Sequence, residues 1–143
     1  MNAFTRIRIN EACTLQHEMM VEKGFQQHSI PEALMLIVSE LSEALEADRI
    51  GKHANLKGFD SDIPTYYEFN GERRFIEGSG VDIQLQCIRA FEVHIKDTFE
   101  DEIADAFLRL MDLCGNLGID IERHIGLKAS YNTIRPYRNG KAY

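Results

Sequence analysis

Two pairs of acidic residues, each spaced three positions apart, interrupt otherwise apolar helical runs of this chain. Glu40 and Glu43 lie in LMLIVSELSEALEA, and Glu102 and Asp105 lie in FEDEIADAFLRLMDLC. Because a helix turns by about 100° per residue, residues three apart project to one side, and two facing helices could bring four carboxylates around one point. Such carboxylates repel each other unless a hard divalent cation lies between them. The spacing therefore predicts a Mg²⁺ site, and a ligand that Mg²⁺ carries, such as a polyphosphate.

Each acidic pair lies beside an apolar stripe that we expect to form the core. The stripe of the first helix is Leu34, Ile37, Val38, Leu41, Ala44 and Leu45, and that of the second is Ile103, Ala106, Phe107, Leu110, Leu113 and Leu117. One acidic pair on a helix is most often solvated surface charge. Two pairs that flank apolar stripes, and of which only Asp105 has a basic residue (Arg109) four positions on, favour a metal site.

The last predicted helix supplies the opposite charge. Lys128, Asn132 and Arg135 fall within an arc of ~60°, with Tyr131 beside them. Two cations and an amide donor on one stripe are suited to holding phosphate oxygens, although cations near a helix C-terminus also interact favourably with the helix dipole. Lys141 in the tail is a further cation, which serves either the same ligand or only solubility.

Length and composition set the class of protein. With 143 residues, the chain has the size of one domain, which we expect to span 1–143. The formal charge of −7 argues against a nucleic-acid-binding face. No apolar run approaches the ~18 residues of a membrane span, and the N-terminal sequence lacks the apolar region of a signal peptide. Three cysteines without metal-binding spacing are expected to be buried reduced thiols, which predicts a cytoplasmic protein without a membrane partner.

Most of the chain has helical periodicity, and one segment does not. Helices are predicted from about Ile9 to Gly24, from Ser29 to Ile50, from Val81 to Leu117 with a break at Asp97-Thr98, and from Asp120 to Ile134. The stretch 51–80 is rich in glycine and contains YYEFNGERRFIE, in which Asn-Gly between aromatic runs indicates a β-hairpin. The predicted fold is an all-α bundle of four to five helices with a small β-hairpin insertion at about 51–80.

The five histidines do not suggest a metal centre of another kind. None follows a glutamate by three residues, as the Glu-x-x-His motif of di-iron bundles requires, and there is no H-E-x-x-H or phosphate-binding loop. We expect the histidines to be structural or surface residues.

The acidic motifs resemble a known family. Glu40-x-x-Glu43 followed by Glu102-x-x-Asp105 is similar to the E-x-x-E…E-x-x-D signature of MazG-like, all-α nucleoside triphosphate pyrophosphohydrolases. SELSEALEA and EDEIADAFLRLMDL resemble the two metal helices of that family, and KASYNTIRPYRNGKAY resembles its closing helix and tail. The resemblance covers about half of the chain, and the segment between the motifs is longer than in compact members.

The resemblance implies a Mg²⁺-dependent enzyme, with Mn²⁺ as a substitute, that hydrolyses a nucleoside triphosphate to the monophosphate and pyrophosphate. Glu40, Glu43, Glu102 and Asp105 would be the catalytic metal ligands. Lys128, Asn132, Arg135 and Lys141 would contact the substrate. The alternatives are a dUTP, dCTP or phosphoribosyl-ATP pyrophosphohydrolase of the same superfamily, or a non-catalytic helical binding module.

The resemblance also implies a homodimer or a dimer of dimers, because family members complete their bundles across subunits. The residues favour the same expectation, since both acidic helices carry a core stripe and a partly apolar flank. This is more apolar surface than a small monomeric bundle can bury. The aromatic side chains of the hairpin segment are expected to dock on the bundle or on a neighbouring subunit.

Overall fold

The computed structural model describes residues 8–25, 28–63, 66–69, 72–75 and 81–135, with the side chains of 66–69, 72–75 and 81–83 excepted. Within these ranges lie the helices α1 (Ile9–Glu22), α2 (Ile30–Arg49), α3 (Leu56–Asp62), α4 (Val81–His94), α5 (Phe99–Leu117) and α6 (Ile121–Ile134), and the strands β1 (Tyr66–Phe69) and β2 (Glu72–Phe75). The predicted all-α class is confirmed. None of the described helices is long and apolar enough to cross a membrane.

The chain divides into two compact units. Met1–Met35 and Phe107–Tyr143 form one, which we call the terminal unit, and Leu36–Ala106 form the other, the central unit. The four carboxylates predicted as metal ligands all lie in the central unit, whereas Lys128 and Arg135 belong to the terminal unit. A single domain over 1–143 stays a prediction.

The helix starts follow the capping chemistry written in the sequence. The Ser29 backbone N–H and hydroxyl both donate to the Glu32 carboxylate, at 2.8 and 2.6 Å, before α2. Thr98 Oγ1 accepts from the Asp101 N–H at 3.4 Å at the start of α5, and Asp120 caps α6. Apart from the bond of the Ser29 hydroxyl, each contact satisfies a backbone N–H that the helix itself leaves without a partner. The predicted boundary between α4 and α5 at Asp97-Thr98 is confirmed.

The segment after α2 contains a helix that periodicity did not reveal. Leu56–Asp62 forms α3, where the sequence predicted only a loop, and the Asn55 side chain accepts from the Gly58 N–H at 3.0 Å to start it. The described residues therefore hold six helices rather than the expected four to five. A helix of seven residues spans two turns, which is too short for an apolar stripe to be recognised.

The strands β1 and β2 pair antiparallel in the segment where the sequence indicated a hairpin. Tyr66 pairs with Phe75, and Phe69 pairs with Glu72. The Asn70-Gly71 turn lies outside the described residues, as does the predicted docking of the aromatic side chains.

Two backbone hydrogen bonds fix the segment that follows α2. The Asn55 N–H donates to the His94 carbonyl at 2.9 Å, and the Phe99 N–H donates to the Lys52 carbonyl at 3.0 Å. The end of α4 and the start of α5 are thereby held beside residues 52–55. Because Glu102 lies one turn into α5, these bonds also fix its position within the central unit.

Carboxylate and histidine side chains reinforce these connections. Glu100 accepts from the Ala54 N–H at 2.8 Å, which lowers the pKa of Glu100, and it lies 3.1 Å from His53 Nδ1. His94 Nε2 lies 2.7 Å from Asp62 Oδ2 and so joins α4 to α3. These contacts agree with the prediction that the histidines are structural or surface residues.

In the terminal unit, α1 is bound to the start of α6 by a reciprocal pair of hydrogen bonds. The Asn10 N–H donates to the Glu122 carboxylate at 3.1 Å, and the Glu122 N–H donates to the Asn10 side-chain oxygen at 3.2 Å. Cys13 and Cys114 are buried free thiols, as predicted, and burial raises the pKa of each. Cys87 is also a free thiol but is only half-buried.

The predicted core stripes of α2 and α5 are largely exposed. Of these residues, Ala44, Ala106 and Leu113 are buried, whereas the following are 37–63% exposed: Leu34, Val38, Leu41, Leu45, Ile103, Phe107, Leu110 and Leu117. The expectation that both stripes form the core of this chain is therefore wrong for most of their members. Small residues and the carboxylates of Glu40 and Glu102 are buried instead.

Two glycines inside helices allow a matched test of the packing in the terminal unit. A Cβ on Gly115 would overlap the Cys13 carbonyl and lie 2.9 Å from the Cβ of His17, whereas one on Gly126 would meet nothing within 4 Å. We expect Gly115→Ala to lower the free energy of unfolding by about 1–3 kcal/mol through overpacking. Gly126→Ala should raise it by up to ~1 kcal/mol, because alanine favours helix. Urea unfolding of both variants measures this, and equal effects would contradict the close approach of α1 and α5.

Candidate metal centre

Three carboxylates converge in the central unit. Glu40 on α2 and Glu102 and Asp105 on α5 each offer one oxygen, and these oxygens all lie within 4.8 Å of one another. Glu40 and Glu102 are only 7% and 6% exposed, whereas Asp105 is exposed. No other group of three or more potential ligands this close together occurs within the part of the chain that the structure describes.

Local sequence explains how these carboxylates meet. On α2, Glu40 shares its face with Ala44 and Ala47, four and seven residues on, and both alanines are almost fully buried. On α5, Glu102 and Asp105 are three residues apart, and Ala106 beside them is buried. Residues at these spacings lie on one side of a helix, and side chains as small as alanine let two backbones approach closely. The buried residues that share a helix face with these carboxylates are thus small: Ala44 and Ala47 on α2 and Ala106 on α5.

The cluster strongly perturbs one of its members. Burial, followed by the negative charges of Glu43 and Glu40, raises the pKa of Glu102 to about 7. Both causes disfavour the ionised form, because a carboxylate charge is less stable away from water and near like charges. A divalent cation would remove both penalties at once, and carboxylate oxygens are the ligands that Mg²⁺ and Mn²⁺ prefer. The residues present thus fit the predicted metal.

The fourth predicted ligand stands apart from the other three. Glu43 is exposed, and its Oε1 accepts from the Ser39 hydroxyl at 3.3 Å. It does not belong to the group of oxygens within 4.8 Å, but it lines the same cavity and acts electrostatically on Glu102. The structure therefore brings all four predicted carboxylates to one cavity and three of them to one point.

The cavity has a volume of about 630 Å³, which lies in the range of small-molecule sites. Besides the four carboxylates, the residues that line it are Phe59, Cys87, Ile88, Phe91, Glu92, Lys96, Asp97 and Asp101. These side chains come from α3, from α4, from the junction between α4 and α5 and from the first turn of α5. Sequence reasoning missed all of them. The predicted helix break at Asp97-Thr98 was the one signal that placed the end of α4 near Glu102.

Three of the four predicted substrate-binding residues, Lys128, Asn132 and Arg135, lie in the described part of the terminal unit. Lys128 and Asn132 line a separate open cavity of about 410 Å³ on α6. The Lys128 Nζ and the Arg135 guanidinium lie 5.3 and 5.4 Å from the centre of the Tyr131 ring, which fits cation–π contacts. Lys141 lies outside the described residues. Substrate contact by these four residues stays a prediction.

The comparisons with known proteins do not assign a family. No family model, no curated protein and no solved structure matches the chain.

The raised pKa of Glu102 predicts how pH affects stability. Its folded pKa of about 7 lies above the ordinary value of 4.5, so the folded form binds the extra proton. The associated stability is fully present below pH 4.5 and is lost as pH rises through 7. We expect the free energy of unfolding of the metal-free protein to fall by up to about 3 kcal/mol across this window. Urea unfolding at pH 5–8 measures it, and saturating Mg²⁺ should flatten the fall.

A pair of glutamine variants isolates the cause. Glu102→Gln should remove most of this fall and unfold at higher urea than the wild type at pH 8. Glu46→Gln is the control, because Glu46 lies on the exposed part of α2, where it pairs with Arg49 at 3.2 Å. Parallel pH profiles for the wild type and Glu102→Gln would contradict the assignment.

Proposed function

We propose that the chain is a Mg²⁺-dependent nucleoside triphosphate pyrophosphohydrolase, which releases the nucleoside monophosphate and pyrophosphate. The observation that carries this proposal is the convergence of Glu40, Glu102 and Asp105 at the wall of a cavity large enough for a nucleotide. A triphosphate is strongly anionic and would be repelled by these carboxylates alone. A triphosphate bound to a divalent cation avoids this repulsion, because the cation neutralises the carboxylate charge and is coordinated by the carboxylate oxygens.

In this proposal, Glu40, Glu102 and Asp105 hold the cation, which is Mg²⁺ or, as a substitute, Mn²⁺. When bound, the cation would neutralise phosphate charge and lower the pKa of a water molecule. Glu40 and Glu102 are buried, so their carboxylates are already oriented and lose little freedom on binding. The exposed Asp105 completes the set from the cavity side.

Glu43 has a different proposed role. Its carboxylate faces the cavity but lies outside the three-oxygen group, so it is available to accept a proton from the attacking water. The Ser39 hydroxyl donates to Oε1 and leaves Oε2 for that task. Lys128, Asn132, Arg135 and Lys141 are proposed to contact phosphate or nucleotide, as the family resemblance implies.

Two glutamine variants separate metal binding from catalysis. We expect wild-type protein with Mg²⁺ to release pyrophosphate rather than orthophosphate from at least one nucleoside triphosphate. Glu43→Gln should lower kcat by about 100-fold or more, the usual range for loss of a general base, while Mg²⁺ still raises the melting temperature. Glu102→Gln should lose both activity and the Mg²⁺-dependent rise in melting temperature.

A substrate panel tests the proposal against its alternatives. Activity confined to dUTP, dCTP or phosphoribosyl-ATP would identify a more specialised pyrophosphohydrolase. If no member of the panel yields pyrophosphate with Mg²⁺ or Mn²⁺, the enzymatic proposal is wrong and a non-catalytic binding module is favoured.

We also propose that the chain assembles as a homodimer or a dimer of dimers. Leu34, Val38, Leu41 and Leu45 on α2 are each about half exposed. Their spacings of four, three and four residues repeat the seam of a coiled coil, which packs against a second helix. A second copy of the chain would cover this stripe and remove its apolar side chains from water.

Two lysine substitutions at adjacent positions test the assembly. Light scattering at micromolar concentration should give at least twice the monomer mass of 16.4 kDa for the wild type. Leu41→Lys places a charge in the stripe and should shift the mass towards the monomer, whereas Ser42→Lys adds the same charge beside it and should not. A wild-type monomer, or equal masses for the two variants, would count against this interface.

A further inference from the structure

The cavity beside the carboxylates has a second wall of different character. Phe59 on α3 and Cys87, Ile88 and Phe91 on α4 present apolar and aromatic surface to it. Phe91 and Ile88 are 41% and 54% exposed, so this surface is open to a ligand. A site that binds only a cation and phosphate has no use for such a wall. Aromatic side chains facing a cavity are suited to the flat face of a nucleobase.

Two charged side chains on the same wall have no side-chain partner among the described residues. Glu92 and Lys96 both line the cavity, and their positions differ by four residues. Even so, no ion pair joins them, and neither charged group has a side-chain partner among the described residues. An ionised carboxylate can only accept hydrogen bonds. Glu92 is therefore repelled by phosphate oxygens, and the ligand group that suits it is a hydrogen-bond donor.

We propose that this wall is the base subsite of the nucleotide, and that Glu92 selects a guanine base. The inference rests on the proposed function, because it assumes that the polyphosphate lies at the three carboxylates. A carboxylate recognises best a ligand with two adjacent N–H donors. Guanine offers such an edge, with its ring N1–H and its 2-amino group side by side. Adenine and cytosine place a ring acceptor next to the amino group, and uracil and thymine have no amino group.

The charges in the cavity support the placement of the base at this wall and of the phosphates at the three carboxylates. Lys96 is the one cation among the described residues that line the cavity, and it balances phosphate charge rather than base edges. Phe59 and Phe91 supply contact that does not distinguish one base from another, since every base has a flat aromatic face. Asp97 and Asp101 also line the cavity, but Asp97 pairs with Lys52 and Asp101 accepts from the Asp97 N–H. We therefore assign discrimination between bases to the acceptor oxygens of Glu92.

Inosine triphosphate provides a direct test, because it differs from GTP only by lacking the 2-amino group. We expect the wild type to favour GTP over ITP, and dGTP over dITP, by about 5- to 150-fold in kcat/KM, the range for one good bidentate contact. Glu92→Gln should reduce this preference to less than ~3-fold, mainly through a higher KM for the guanine substrates. Glu46→Gln, which removes a carboxylate outside the cavity, should leave the preference unchanged.

A binding measurement separates this inference from the proposed function. The δ1-methyl group of Ile88 can be followed by NMR while GMP or IMP is added with Mg²⁺. Its signal is assigned by its absence from the spectrum of Ile88→Val. We expect GMP to shift this signal at concentrations at least ~5-fold lower than IMP in the wild type, and at similar concentrations in Glu92→Gln.

The outcomes lead to different conclusions. If no triphosphate is hydrolysed but GMP shifts the Ile88 signal in a Glu92-dependent manner, the proposed function is wrong and the base subsite stands. If pyrophosphate is released but GTP and ITP are equivalent, or Glu92→Gln leaves their ratio unchanged, the inference is wrong and the function stands. If neither hydrolysis nor a shift of the Ile88 signal occurs, both are wrong.

Discussion

The burial of like charges is the constraint on which the central unit depends. Glu40 and Glu102 are almost inaccessible to water, and burial, followed by the negative charges of Glu43 and Glu40, raises the pKa of Glu102 to about 7. Both burial and repulsion oppose folding in the ionised state. The rest of the unit offsets that cost, because the hydrogen bonds from Phe99 to Lys52 and from Asn55 to His94 hold α4 and α5 beside the segment after α2. A cation among the carboxylates would convert the same repulsion into binding energy.

The arrangement of the two acidic helices reverses the usual pattern of a helix on a protein surface. Their buried faces combine carboxylates with small residues such as Ala44 and Ala106, whereas larger apolar residues such as Leu41 and Phe107 are exposed. A narrow face of small residues allows two helices to approach closely enough for carboxylates to share a point. The exposed stripes then remain for another surface to cover. The proposed metal site and the proposed assembly would both depend on the orientation of these two helices.

The sequence alone was sufficient for features with local causes. The spacing of the acidic residues predicted which carboxylates converge. Ser29, Thr98 and Asp120 predicted where helices begin, because a helix cap depends on residues only three positions away. Features that depend on what a helix face packs against could not be predicted from the sequence. The burial of Glu40 rather than Leu41 is decided by what each face packs against, and α3 is too short for its periodicity to be recognised. Glu92 escaped notice for the same reason, since one exposed glutamate on a helix is distinguished only by the cavity that it faces.

The most direct test of this account is titration of the protein with Mn²⁺, followed by the loss of the electron paramagnetic resonance signal of the free ion. The wild type should bind one or two Mn²⁺ per chain, and Mg²⁺ should displace them. Glu40→Gln and Glu102→Gln should each weaken the tighter site by at least ~10-fold, in line with the loss of a charged ligand, whereas Glu46→Gln should not. The claim that these carboxylates form a metal centre would be contradicted if the wild type bound no Mn²⁺. It would also be contradicted if the wild type bound Mn²⁺ with the same affinity as Glu40→Gln and Glu102→Gln.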